Sequence, residues 1–308
     1  MVDVRRVALV ASIATASCGA LLNGEDPSDP GPTPPGPDAA PDDAVAPEAA
    51  VDANADAGVV VSTIGFFERS SSRFELRFAN ASGVGNRTVV IDGGVDKGAW
   101  PFAGHWNSAH SPDTIGYFVG GDSPTFHFFG QFGVGETVEQ FGFSIDGGSD
   151  EAMPVVGDWN GDGICTVGFY VRSTGTFFLK DTNAPGNADY MFPFAAPGGL
   201  PVVGDWDGDG VDGIGVFFPD NGAVEGHFFL KNALGPGNAD VTFNVSTPGT
   251  SWFPLAGDWD GDGRATVGLY DSVRAEFRLF EKNVDGATMS VFAFGPAGAL
   301  PIAGKWQR

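Results

Sequence analysis

Basic residues are scarce in this chain. Sixteen Lys and Arg face 39 Asp and Glu over 308 residues, a formal charge of −23. A phosphate-binding surface needs clustered cations, so this balance argues against nucleic acid and makes cations the more natural partners. Cysteine is nearly absent: Cys18 and Cys165 are the two present, and no disulfide framework follows from them. No stretch has the period of a long amphipathic helix, and the apolar run from Val7 to Ala16 is too short to span a bilayer. Neither a nucleophile elbow nor a zinc-protease motif occurs, so a protein without catalytic activity is expected.

What is abundant is glycine, proline and phenylalanine, at 47, 22 and 27 residues, the turn-rich and aromatic make-up of an all-β protein. Residues 1–18 read as a signal peptide, with Arg5 and Arg6 ahead of the apolar run. Thr15-Ala16-Ser17-Cys18-Gly19 is similar to the lipobox of bacterial lipoproteins, with Thr15 where Leu is usual, which makes Cys18 the expected lipidation site. Cleavage after Ala14-Thr15-Ala16 and simple secretion is the alternative. Residues 19–58 follow as a tether: Leu21 to Gly58 is built almost wholly from Pro, Ala, Asp, Glu and Gly, with nine acidic residues and no basic one. Such a segment cannot bury enough apolar surface to offset its ordering entropy, so it is expected to be disordered and extended. A lipid-anchored protein at the cell surface or periplasmic face of a membrane is the localisation these features predict.

Residues 59–308 are organised by one recurring stretch. It reads PFAGHW from Pro101, PVVGDWNGDG from Pro154, PVVGDWDGDG from Pro201, PLAGDWDGDG from Pro254 and PIAGKW from Pro301. Successive prolines are 53, 47, 53 and 47 residues apart, the period of an array of supersecondary units. Between the copies run a glycine-centred strand (TIGFF from Thr63, TIGYF from Thr114, TVGFY from Thr166, GIGVF from Gly213, TVGLY from Thr266), an aromatic strand and a third strand. Turns rich in Gly, Asn and Pro separate them. With the PxxG strand this makes four strands per unit, the size of one propeller blade.

The ends of the array complement each other. The strand at Thr63 has no PxxG strand before it, and PIAGKW has no glycine-centred strand after it. A five-bladed β-propeller is therefore expected, closed by pairing of the C-terminal strand with the N-terminal blade. An open stack of repeats is the alternative, and it would leave an unpaired edge at each end. Trp106, Trp159, Trp206, Trp259 and Trp306 occupy one equivalent position, either as a platform for sugar rings or as wedges between blades. Trp306 persists without the loop that follows its counterparts, which favours wedges. Cys165, at a strand start, is expected to be a small buried residue.

Three copies carry D-x-[DN]-x-D-G: Asp158, Asn160 and Asp162; Asp205, Asp207 and Asp209; Asp258, Asp260 and Asp262. Alternate oxygen-bearing side chains converge on a point, and the glycine permits the turn that brings a carbonyl to a hard cation, so these nine residues are the candidate Ca²⁺ ligands. The twelfth loop position holds Phe169, Val216 or Leu269 where an EF-hand has Glu. The alternative is that the aspartates only make hydrogen-bonded turns. In the second blade the loop is replaced by His105, Asn107, His110 and Asp113, read as an eroded loop in preference to a transition-metal site.

With three acidic loops at fixed spacing, residues 59–308 resemble the FG-GAP or VCBS-type repeats of integrin-like β-propellers. The resemblance implies Ca²⁺ loops on one face and a role in extracellular adhesion or binding. Thr166, Gly213 and Thr266 stand at the ninth loop position, where the family often has Asp. The function expected is that of a monomeric, surface-displayed, calcium-stabilised binding or adhesion module whose partner is a protein or a glycan. A sugar-binding lectin propeller and a glycoside hydrolase are the alternatives. Against the hydrolase, the inner strands place no carboxylate before the loop aspartate.

Overall fold

Twenty strands form five four-stranded antiparallel sheets in the computed structural model, which describes residues 60–92, 94–95, 98–106, 112–120, 125–129, 137–142, 152–219, 225–247 and 251–307. The signal, Cys18, the tether, Asn107 and His110 lie outside the described residues. Within each blade the strands run from axis to rim. The innermost are β20 (Leu300–Gly304), β4 (Trp100–Gly104), β8 (Ala152–Gly157), β12 (Leu200–Gly204) and β16 (Trp252–Gly257), for blades 1 to 5 in turn. Next come β1 (Thr63–Glu68), β5 (Thr114–Val119), β9 (Thr166–Val171), β13 (Gly213–Phe218) and β17 (Thr266–Asp271). The third strands are β2 (Arg73–Leu76), β6 (Thr125–Phe129), β10 (Thr176–Leu179), β14 (Glu225–Lys231) and β18 (Glu276–Phe280). At the rim lie β3 (Arg87–Val90), β7 (Thr137–Gly142), β11 (Tyr190–Pro193), β15 (Val241–Ser246) and β19 (Met289–Ala293).

The sequence patterns follow from this radial order. Inner strands are packed on both faces by neighbouring blades, and β8, β12, β16 and β20 are buried throughout. At the rim the period-two pattern returns: in β15, Phe243 and Val245 are buried and Thr242 and Asn244 exposed. The proline that opens each repeat is tolerated because an inner strand has a sheet neighbour on one side only, and a missing N–H on the axial side breaks no ladder bond. Gly157 and Gly304 are required by the tryptophan two residues on, since a Cβ at either would sit 2.6 Å from the ring of Trp159 or Trp306.

Closure is as expected. β20 pairs antiparallel with β1, from Thr63↔Gly304 to Phe67↔Leu300. The seam between blades 5 and 1 shares one core, in which Ile64 and Phe66 pack with Leu255, Phe277, Leu279 and Ile302. The Phe66 and Phe294 rings meet edge-on at 5.0 Å across it.

A second closure was not legible in the sequence. The N–H of the residue just before each glycine-centred strand donates to the carbonyl of the residue just after the preceding blade's inner strand. These bonds are Ser62 to Asp258 at 2.7 Å, Asp113 to Lys305 at 2.9 Å, Cys165 to His105 at 2.9 Å, Asp212 to Asp158 at 2.8 Å and Ala265 to Asp205 at 2.6 Å. Together they form an unbroken collar of five main-chain bonds around the axis. In three of them a side chain returns the bond: Ser62 Oγ accepts from Asp258 N–H at 3.0 Å, Asp113 Oδ2 from Lys305 N–H at 2.7 Å and Asp212 Oδ2 from Asp158 N–H at 2.8 Å.

Candidate functional site: the acidic loops and the axial collar

The three acidic loops leave inner strands of the same orientation and so gather at one end of the ring. In each, the first aspartate folds the loop around its own carboxylate. Asp158 accepts from the N–H groups of Gly161 at 2.7 Å, Asp162 at 3.2 Å and Gly163 at 2.7 Å. Asp205 does the same with Gly208 at 2.7 Å, Asp209 at 3.2 Å and Gly210 at 2.9 Å. Asp258 takes Gly261 at 2.7 Å and Gly263 at 3.3 Å. These glycines hold φ between 73° and 87°, a range that side-chain-bearing residues rarely adopt.

Each loop then brings its other carboxylates to the first. One carboxylate oxygen from each of Asp205, Asp207 and Asp209 lies within 4.8 Å of the others, and the same holds for Asp258, Asp260 and Asp262. In the third loop a neutral amide takes the middle position, with Asn160 Nδ2 donating to Asp162 Oδ2 at 3.2 Å. The first aspartates are buried, Asp158 at 1%, Asp258 at 4% and Asp205 at 8% exposure. Burial raises the pKa of all three, their backbone donors lower it, and the neighbouring carboxylates Asp162, Asp209 and Asp260 raise it again. Asp258 alone has a cationic counterweight, the Lys305 ammonium 3.6 Å from its Oδ2. Lys305 occupies the place in blade 1 where blades 3, 4 and 5 have their first aspartate. That pairing joins residues in successive copies of the repeat, and no local sequence signal marks it.

The eroded copy in blade 2 carries a polar cluster instead. His105 and Asp113 are 4% and 1% exposed, with Nδ1 and Oδ1 at 3.0 Å, and the Cys165 sulfur lies 3.8 Å from the same nitrogen. Cys165 is fully buried, as expected. Burial pulls the imidazole pKa down, but the Cys165 sulfur and the Asp113 carboxylate outweigh it and push it up to about 12. Asp113 thus serves His105 through one oxygen and the Lys305 N–H of blade 1 through the other. Asp113→Ala removes both contacts and breaks a buried pair, so it is expected to cost at least about 3 kcal/mol. Asp113→Asn keeps an acceptor for Lys305 and should cost less. A histidine held charged in the fold contributes stability that is complete below about pH 6.5 and is lost as pH rises toward the folded value. The cost of Asp113→Ala should therefore be largest in mild acid and shrink in alkali. Urea unfolding at pH 6 and pH 9 checks this, and a cost under about 1 kcal/mol at both would show that the pair is not a stabilising contact.

The tryptophans act as wedges: Trp159, Trp206 and Trp306 are 4%, 7% and 2% exposed, and Trp106 and Trp259 are half-buried. Trp206 Nε1 donates to Ile214 O at 3.2 Å and Trp306 Nε1 to Ile64 O at 3.4 Å, so the indoles tie the inner strand to its neighbour. A comparison with known proteins finds no family model and no curated protein that matches this chain.

Proposed function

We propose that this protein is a non-catalytic, calcium-stabilised binding or adhesion module of FG-GAP or VCBS type, displayed at a membrane surface by a lipid on Cys18. The observation that carries the calcium part is the crowding of carboxylates in the Asp205 and Asp258 loops, with oxygens within 4.8 Å of one another. Two oxygens that each lie 2.3–2.6 Å from one Ca²⁺ are at most about 5 Å apart, so the spacing fits a shared hard cation. The first aspartates, held by two or three N–H donors each, would be the fixed ligands, and Asp207, Asp209, Asp260 and Asp262 the ones that close on the ion. Asp158, Asn160 and Asp162 would form a weaker third site. Bound there, the ion supplies charge neutralisation and loop order, not reaction chemistry.

A closed ring with acidic loops on one end suits a rigid recognition surface. The lectin alternative draws less support, because the indoles of Trp159, Trp206 and Trp306 are turned into the core and offer no open face for a sugar ring. Pull-down from the native cell surface in calcium and in chelator, alongside a glycan array, separates the two: calcium-dependent capture of a protein supports the adhesion reading, and selective glycan signals overturn it in favour of the lectin.

The anchor is tested independently. Mass spectrometry of the membrane fraction should find a mature protein that begins at a lipidated Cys18. An unmodified N-terminus at Ser17 would replace lipid anchoring with secretion.

A further inference from the structure

The loop of blade 3 departs from its sisters at the residue before its first glycine. Where blades 4 and 5 have Asp207-Gly208 and Asp260-Gly261, blade 3 has Asn160-Gly161. An asparagine followed by glycine is prone to cyclise, because no side chain screens the glycine nitrogen as it approaches the asparagine amide. Among the described residues this is the one Asn-Gly pair, and Asn160, Gly161 and Asp162 are all exposed to the water that hydrolysis needs.

The loop surrounds this pair with the groups such a reaction uses. The Gly161 N–H, which the nucleophile must lose, donates to Asp158 Oδ1 at 2.7 Å. Asn160 Oδ1, where negative charge gathers during attack, accepts from Asp162 N–H at 3.1 Å, a donor shared with Asp158 Oδ1 at 3.2 Å. Asn160 Nδ2, the leaving nitrogen, donates to Asp162 Oδ2 at 3.2 Å. The ring closed by the bond from Asp162 N–H to Asn160 Oδ1 contains both the Gly161 nitrogen and the Asn160 side-chain carbonyl carbon, so it restrains the two reacting atoms together. A base on the nucleophile, a donor on the developing oxyanion and an oriented leaving group are the components of acyl transfer. Blades 4 and 5 repeat the first contact, with Gly208 and Gly261 N–H each 2.7 Å from Asp205 and Asp258. Their preceding residue is a carboxylate, which resists a nucleophile and is also what hydrolysis of Asn160 yields, so the same loop bonding accommodates the product.

We propose that Asn160 is a self-converting site, which cyclises onto Gly161 and hydrolyses to aspartate or isoaspartate with loss of ammonia. The Gly161 nitrogen bonds to Asn160 Cγ and gives its proton to Asp158 Oδ1. The Cγ–Nδ2 bond then breaks, and Nδ2 leaves as ammonia with that proton, relayed by solvent. Water opens the resulting five-membered imide. Attack at the side-chain carbonyl breaks its new bond to the Gly161 nitrogen and leaves aspartate, whereas attack at the main-chain carbonyl breaks the original peptide bond and leaves isoaspartate. One water is consumed and one ammonia released, with no oxidation or reduction. The aspartate branch gives the blade 3 loop the three carboxylates that the loops of blades 4 and 5 already have. The reaction needs no cation and stands apart from the calcium reading.

The test follows freshly purified full-length protein in chelator by peptide mapping at residue 160, beside the free peptide acetyl-Asp-Trp-Asn-Gly-Asp-Gly-Ile-amide, which has the same residues without the fold. Conversion of Asn160 in the protein should run at least about tenfold faster than in the peptide, a margin below what a positioned base usually contributes. In heavy-oxygen water each converted residue should gain one heavy oxygen. Asp158→Asn keeps an acceptor for the loop N–H groups and removes the base, so it should slow conversion at least about tenfold. If that variant does not melt cooperatively, Asp162→Ala takes its place: it keeps the main-chain donor, loses the bond to the leaving nitrogen and should slow conversion about threefold. Conversion no faster in the protein than in the peptide overturns the proposal, and would mean that the bond to Asp158 ties the Gly161 nitrogen down instead of activating it. A rate left unchanged by the variant used overturns it as well. Melting in calcium and in chelator is read separately, so failure at Asn160 leaves the calcium-stabilised module standing.

Discussion

Deleting Pro301 to Arg308 is expected to abolish cooperative folding of the propeller at 25 °C. The segment buries Ile302, Ala303 and Trp306 at 0%, 0% and 2% exposure, and full burial of a large apolar side chain stabilises by about 1.5–3 kcal/mol. The loss does not stop there, because the cavity lies in the seam core and its walls do not collapse freely. β1 becomes an open edge, since every residue from Thr63 to Phe66 loses its partner on β20. The collar is also cut, as Asp113 loses both of its bonds to Lys305. Roughly 5 kcal/mol of direct burial plus these terms is comparable to the whole stability of an ordinary domain. A circular permutant that begins at Gly298 and runs through Gln307 into Val60 gives the converse. With a short Gly-Ser linker between Gln307 and Val60 it makes β20 and β1 neighbours in sequence and leaves their pairing in place, so it should melt close to the parent. A truncated protein that melts within about two degrees of the intact one would mean that the repeats form an open stack whose ends do not support each other.

The closure by β20 was legible in the sequence for a simple reason: the missing strand at one end and the surplus strand at the other are both absences in a regular pattern. The repeat period itself encodes four strands, and the proline and glycine of PxxG report positions where an axial edge and a stacked indole exclude other residues. The collar was not legible, and the physical cause is plain. Its five bonds run between backbone groups, so Ser62, Asp113, Cys165, Asp212 and Ala265 can stand at one structural position without sharing any chemistry. Only where the side chain returns the bond, at Ser62, Asp113 and Asp212, does the residue type carry information, and the partner is contributed by the preceding blade.

The acidic loops sit between these extremes. Their ligand spacing is local, at alternate positions after the inner strand, and the sequence alone places Asp205, Asp207 and Asp209 around one point, where the structure also brings them together. What sequence order hides is the cation and the hydrogen-bond donor supplied from elsewhere. Lys305 reaches Asp258 from the blade completed by the C-terminal strand, and Asn232 Nδ2 reaches Asp207 Oδ2 at 2.6 Å from a turn 25 residues on. A groove lined by both Asn80 and Trp259 is hidden for the same reason: the two are brought together only by closure of the ring.

Calcium is expected to raise the melting temperature of the propeller substantially, with chelator as the reference at constant ionic strength. An ion that binds only the folded state stabilises by about 2.7 kcal/mol per site at a hundredfold excess over its dissociation constant. For a chain of this size that corresponds to roughly 5–10 °C per occupied site. The loops should contribute unequally, because affinity follows ligand charge and rigidity. The Asp205 loop has three carboxylates and, among the described residues, no cation acting on its first ligand, so it should bind most tightly. The Asp258 loop has three as well, but the Lys305 ammonium already lies beside its first ligand. The Asp158 loop has two carboxylates and the amide of Asn160. Replacing Asp207 and Asp209 with Asn should therefore remove more of the calcium-dependent shift than Asp162→Asn. Lys305→Met separates an ion site from a mere turn. If Asp258 is a calcium ligand, removing the competing ammonium should enlarge the shift between chelator and calcium, even though the variant in chelator is less stable than the parent. Were the aspartates only loop caps, Lys305→Met would lower stability equally in both conditions, and the intact protein would melt at one temperature with calcium or without it.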